Sequence, residues 1–280
     1  MSQSVHKRYN AESKNVLSIQ KYTGKDYRLY DNNEKIFDIA KEHSEEINDT
    51  VRAFFWKAYS TNVKVNNIVS AKDSVTVFVK SVNEPCFHTY AVLPIHEKEK
   101  KIMWNRIWSQ EGEVERAIKS GLYVMAFDIE FNMLDEYLES ATRNFPIIGT
   151  PEQVIDMTKA NGYTTPYYFI SPSGSVFEKA FTKFRRNPKI RGQELRTFFQ
   201  ENLPCPKGVN IGIEFYMKEK DAAPEQDILD AIVLDIENMV GIPRGAYSFY
   251  LNDNFIDIYR GVGKKDNTLT KKSPYKLLKE

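Results

Sequence analysis

The chain has 280 residues, 41% hydrophobic and 28% charged, with a formal net charge of +1. That length can bury one large core or two modest ones, and the many Phe and Tyr argue against disorder outside the ends. Its two cysteines, Cys86 and Cys205, stand far apart and in no motif, which excludes a disulfide scaffold. No stretch reaches the roughly 18 apolar residues of a membrane span, and no apolar run follows Lys7-Arg8 as a signal peptide would require, so the expected compartment is the cytoplasm and no membrane partner is expected.

Residues 1–25 are polar and read as a flexible arm. Asn32-Asn33 can cap a helix carrying Ile36, Ile39, Ala40, Ile47, Val51, Phe54 and Phe55, mostly at spacings of three and four, with a break near residues 48–50. Short β-branched runs follow at 63–65, 75–79 and 88–93 and read as strands. Trp104 and Trp108 would share one helix face and are expected in the core. The apolar run 122–127 reads as a strand running into the acidic stretch that begins at Asp128. Thr150-Pro151-Glu152-Gln153 is a helix start and Asn161-Gly162 its stop. Residues 167–170 read as a strand, and 176–184 and 190–200 as amphipathic segments around Arg185-Arg186-Asn187-Pro188. Val209 to Met217 alternates cleanly and is the clearest strand. Pro224 opens a helix from Glu225 to about Met239, and strands 248–251 and 255–259 are expected to form a hairpin at Asn252-Asp253-Asn254.

The fold class expected is α+β with two domains, the C-terminal one a small mixed sheet with packed helices. The division reads as an arm at 1–25, an α+β domain of unknown role at 26–150, a second α+β domain at 151–262 and a basic tail at 263–280.

Charge is unevenly spread over the second half. Residues 176–200 carry seven Lys/Arg against two Glu, residues 218–238 two Lys against seven Asp/Glu, and residues 260–280 seven Lys/Arg against one Asp and one Glu. Asp227 and Asp230 are one helical turn apart, while Asp227 and Asp235 differ by about 80° of rotation and about 12 Å of rise, so Asp253 must come in from the turn to close the group. Such a set, with Glu225, has the oxygen ligands that suit Mg2+ or Mn2+, which would polarise a phosphodiester and generate a nucleophile. Lys179, Lys183, Arg185, Arg186 and Arg191 are the candidates to hold a nucleic-acid backbone. An acidic first turn of a helix and an aspartate in a turn are also what ordinary capping produces.

The order of these elements resembles the RusA family of Holliday junction resolvases over roughly residues 175–262. That family's motif, D-x-D-N-L-x-K, falls on Glu225, Asp227, Ile228, Leu229 and Ala231. Its further helix Asp falls on Asp235 and its terminal acidic pair on Asn252-Asp253. The Asn and Lys of the motif are absent here. The resemblance implies a Mg2+-dependent endonuclease acting on branched or structured DNA, with Asp227, Asp235 and Asp253 catalytic and Glu225 joining them around the metal. The alternative expectation is a non-enzymatic interaction or structural assembly protein, a viral or accessory factor that binds a protein partner or itself. It expects the carboxylates to be apart or neutralised by Lys/Arg, and an exposed aromatic patch. Cys86, His88 and His96 match no zinc spacing, and no phosphate-binding or nucleophile-elbow motif is present.

Overall fold

The computed structural model describes residues 15–203, 208–263 and 265–272. The described residues open on β1 (Val16–Ser18), followed by α1 (Glu34–Glu42) and α2 (Ser44–Tyr59). β2 (Val63–Ser70), β3 (Ser74–Ser81), β4 (His88–His96) and β5 (Lys101–Ile102) form an antiparallel meander in that order. Two helices, α3 (Glu113–Ala126) and α4 (Asp128–Asn144), lead to β6 (Ile147–Ile148), α5 (Glu152–Thr158) and β7 (Tyr168–Pro172). Then come α6 (Ser175–Arg186), α7 (Gly192–Asn202), β8 (Val209–Met217), α8 (Gln226–Asn238), β9 (Ala246–Asn252), β10 (Phe255–Asp257) and β11 (Leu269–Lys272).

The fold is α+β. The central strand of the second sheet is β8, which pairs with β9 in parallel on one side and with β6 and β7 antiparallel on the other. The parallel pair is possible because α8 carries the chain back across the sheet. β11 closes the outer edge of β9, and β1 pairs with β10 in a small third sheet. The strand read at 209–217 is β8 with the same bounds, and its alternating residues Val209, Ile211, Ile213, Phe215 and Met217 are all buried.

One apolar cluster runs from Ile36 to Leu251 and takes in the meander, α3, α4, α6, α7 and the β8 sheet. Ile147, just before the expected division at 150/151, belongs to this cluster. Residues 1–14 of the expected arm lie outside the described residues. Residues 15–25 are packed: Ile19 and Tyr22 join Val154, Tyr216 and Ile256 in a second cluster, and Tyr22 donates to the Ile258 carbonyl at 2.6 Å. Of the expected basic tail, β11 is an edge strand and residues 273–280 lie outside the described residues.

Several elements differ from expectation for physical reasons. The apolar run 122–127 is the second half of α3, a helix buried on nearly every side, and a short apolar run has no period that separates such a helix from a buried strand. The helix break falls at His43, where Ala40 accepts the capping N–H, rather than at 48–50. Trp104 and Trp108 are 37% and 49% exposed, not core. Trp108 is extended, exchanging two backbone hydrogen bonds with Val92, so the helical spacing never applies. Strands β9 and β10 are not a hairpin: β10 turns away to pair with β1. Asn254 drives that corner by donating to the carbonyls of Met217 and Lys218 and to Gln20, while Asn252 donates to Glu214 on β8.

Candidate functional site

The acidic set was expected to surround one ion, and each member already has a defined environment. Asp253 is buried. Its Oδ1 accepts from the Phe255 N–H at 2.9 Å and from the Lys265 ammonium, and its Oδ2 accepts from Asn267 at 2.9 Å. Lys265 also donates to the Phe255 carbonyl at 2.6 Å, and burial pulls its ammonium below the ordinary lysine range despite Asp253 beside it. Asp235 is exposed on α8 and accepts from the Tyr137 hydroxyl at 2.9 Å. Asp230 accepts from Lys271 at 2.9 Å and Gln226 at 3.1 Å, and the Lys271 hydrogen bond is the first cause of its lowered pKa. Glu225 stands at the N-cap position of α8 without a side-chain capping hydrogen bond, and Asp227 lies in its first turn, both exposed. Among the described residues no three His, Cys, Asp or Glu side chains gather as a metal group. Asp253 alone of the set is buried.

The basic candidates divide similarly. Lys179, Lys183 and Arg186 follow one face of α6 at steps of four and three and are exposed. Arg185 instead donates to the Ala58 carbonyl and lies over the Tyr59 and Phe181 rings. Arg191 pairs with Glu194 in the first turn of α7.

A cleft of about 210 Å3 that the sequence reading did not single out lies between the meander and α5. Phe87 and Ile155 form its apolar lining, Lys80 and His88 come from β3 and β4, Asp156 from α5, and Tyr163 to Pro166 close it. His88 is buried, and its Nε2 lies 2.9 Å from Asp156 Oδ1, which Lys80 also approaches at 3.6 Å. The His88 hydrogen bond is the first cause holding the Asp156 carboxyl below the usual carboxylate range. His88 Nδ1, on the other side of the ring, is buried and has no hydrogen-bond partner among the described residues.

This arrangement is rigid because backbone and small residues lock it. His88 and Gly162 exchange two backbone hydrogen bonds of 2.9 Å. Gly162 has φ +111°, and a Cβ there would lie 2.5 Å from Ser120 Oγ, which itself accepts from the Tyr163 N–H at 2.6 Å. The Cys86 thiol at the rim is pushed up by partial burial and then by Glu84, so it is not an activated thiolate. Tyr163 is pushed up to about 12 by burial and by Asp135 behind it. The chemistry available is that of a His–Asp–Lys network tying α5 to the meander, with room for a small polar molecule beside it. No local motif could reveal it, since His88 and Asp156 are 68 residues apart.

No helix among the described residues is long and apolar enough to cross a membrane. No curated protein matches the chain. The crystal structure of a DUF1672 family protein from Staphylococcus aureus has the same fold, with a TM-score of 0.77 at 17% identity, over 95% of this chain and 99% of that one. This likeness and a single family model spanning residues 9–279 overturn the resemblance to RusA resolvases, because the C-terminal third is part of one chain-long fold and not a resolvase-like unit. The matching model is that of a protein of unknown function, DUF1672, and over that span the chain belongs to the DUF1672 family.

Proposed function

We propose that the chain is a non-enzymatic interaction protein, an assembly or accessory factor that binds a protein partner or another copy of itself, with the cytoplasm as its compartment. The observation that carries this reading is the environment of Asp253. Both of its oxygens accept from the chain's own groups, and its counter-charge is Lys265, whose side chain is largely shielded from water. A divalent ion would have to displace that ammonium, leaving it unpaired in a low-dielectric site, before it could share the carboxylate. Exposed Trp56, Trp104 and Trp108 give further support, since tryptophan is enriched in protein interfaces.

The competing expectation is a Mg2+- or Mn2+-dependent endonuclease using Asp227, Asp235 and Asp253. Incubation with four-way, forked and linear DNA in either ion, beside Asp227→Asn, separates the two. The expected result is no cleavage by either protein, and no binding heat when Mn2+ is titrated to millimolar concentration. Cleavage by the natural chain that Asp227→Asn abolishes overturns the proposal. A nucleic-acid partner has its own supporting observation, the exposed face of Lys179, Lys183 and Arg186 on α6. A gel shift of the same DNAs in chelator, lost on Lys183→Glu, would select it.

A further inference from the structure

A second concavity, of about 560 Å3, lies on the surface where the end of α2, the β3–β4 connection and the α6–α7 turn meet. Trp56 forms one side and is 59% exposed, an unusual state for a ring of that size. Arg186 and Lys189 also line it, together with Asn62, Asn83, Asn187 and Glu84. We infer that this groove docks an acidic protein segment lying in extended form, with an apolar side chain against Trp56. The inference deepens the interaction reading and rests on it.

Three observations support that occupant. The first is charge. Arg186 continues the exposed row of Lys179 and Lys183 on α6, and none of these three has an ion-pair partner among the described residues. The nearby carboxylates of the same helices are engaged: Glu178 pairs with Lys119, and Glu194 with Arg191. The groove lining itself carries Arg186 and Lys189 against one carboxylate, Glu84, a net positive charge whose potential favours an acidic segment over a basic one. The second is the three exposed asparagine amides. Each can both donate and accept, as a peptide group requires, and an extended chain leaves alternate backbone groups free to meet them. The third is the apolar edge. Val82 is also 59% exposed, next to Asn83, so Trp56 is not a lone apolar site. A tryptophan of this exposure is the kind of aromatic anchor that dominates protein interfaces when buried.

A single-stranded nucleic acid fits less well. Its binding needs a row of cations along the backbone and successive rings for the bases. The groove itself has two cations and one exposed ring, and Glu84 lines it.

The test uses the full chain and a fluorescein-labelled decapeptide of Glu and Leu, beside its Lys-for-Glu counterpart and a dT oligonucleotide of equal length. Fluorescence anisotropy should detect the acidic peptide and not the basic one. Arg186→Glu with Lys189→Glu should weaken it at least about tenfold, and Trp56→Ala by a similar factor, while Trp56→Phe keeps most of the affinity. All three positions are exposed, and matching melting curves exclude unfolding. Failure of the acidic peptide to bind, equal binding by the variants, or tighter binding of the oligonucleotide each overturns the inference. The DNA-cleavage assay is independent of these outcomes, so loss of the groove and loss of the non-enzymatic reading are separately visible.

Discussion

His88 Nε2 lies 2.9 Å from Asp156 Oδ1, joining the first strand position of β4 to α5 across 68 residues of chain. His88 is buried, so this carboxylate is the group that satisfies its Nε2–H. Asp156→Ala should therefore leave a buried donor unpaired and lower stability by about 1–3 kcal/mol, whereas Asp156→Asn retains an acceptor and should lose less.

The pH dependence follows from the same contact. The Asp156 carboxyl is held below its ordinary value, first by the His88 hydrogen bond and with Lys80 assisting. A depressed carboxyl contributes stability that is present above the unfolded value of about 3.9 and is lost as pH falls through the folded one. The gap in melting temperature between the natural chain and Asp156→Ala should be full near neutrality and close below about pH 4. Circular dichroism melts across that range check it, and a gap that widens in acid would be the wrong sign.

Gly121 sets a contest between two effects of known size. On α3 an alanine favours the helix by about 1 kcal/mol over glycine. A Cβ at this position, however, would lie 2.4 Å from the Cys86 carbonyl and 2.9 Å from Pro85 Cβ. The obstruction is backbone and cannot swing aside, and overpacking of this kind costs about 1–3 kcal/mol. Gly121→Ala should destabilise, with a lower melting temperature, even though helix propensity alone predicts a gain. At exposed Gly112, where nothing lies within 4 Å of the added Cβ, the left-handed φ of +80° is the remaining objection. Gly112→Ala should cost only about 1–2 kcal/mol, the left-handed penalty.

What could be read from the residues alone was whatever repeats locally. The two-residue alternation of Val209 to Met217 and the four-residue spacing of Ile228, Ile232 and Ile236 each report a one-sided burial, and both elements are where those periods put them. α3 was missed because burial on almost every side erases the period. The residue types of Asn252-Asp253-Asn254 favour a hairpin turn, yet Asn254 bonds to β8, a partner no local pattern specifies. Asp253 is the same lesson at the candidate site. Its acidity was legible, but its neutralisation by Lys265 depends on the loop after β10 folding back.

That pair gives the sharpest separation between a structural and a metal-binding aspartate. Lys265 and Asp253 are about 9% and 10% exposed, so removing the carboxylate leaves an ammonium with little water to replace it. Asp253→Ala should cost about 3–5 kcal/mol in urea unfolding. Lys265→Met should be costly for the mirror reason, since it strands the carboxylate. Joining the two substitutions removes both charges together, and the double variant should lose clearly less than the sum of the singles, which is the signature of direct coupling. Asp227, exposed in the first turn of α8, should change stability by no more than about 0.5 kcal/mol on substitution by Asn. If instead Asp253→Ala and Asp227→Asn both leave urea unfolding unchanged while abolishing a Mn2+-dependent signal, Asp253 belongs to a metal site and Lys265 gives way to the ion.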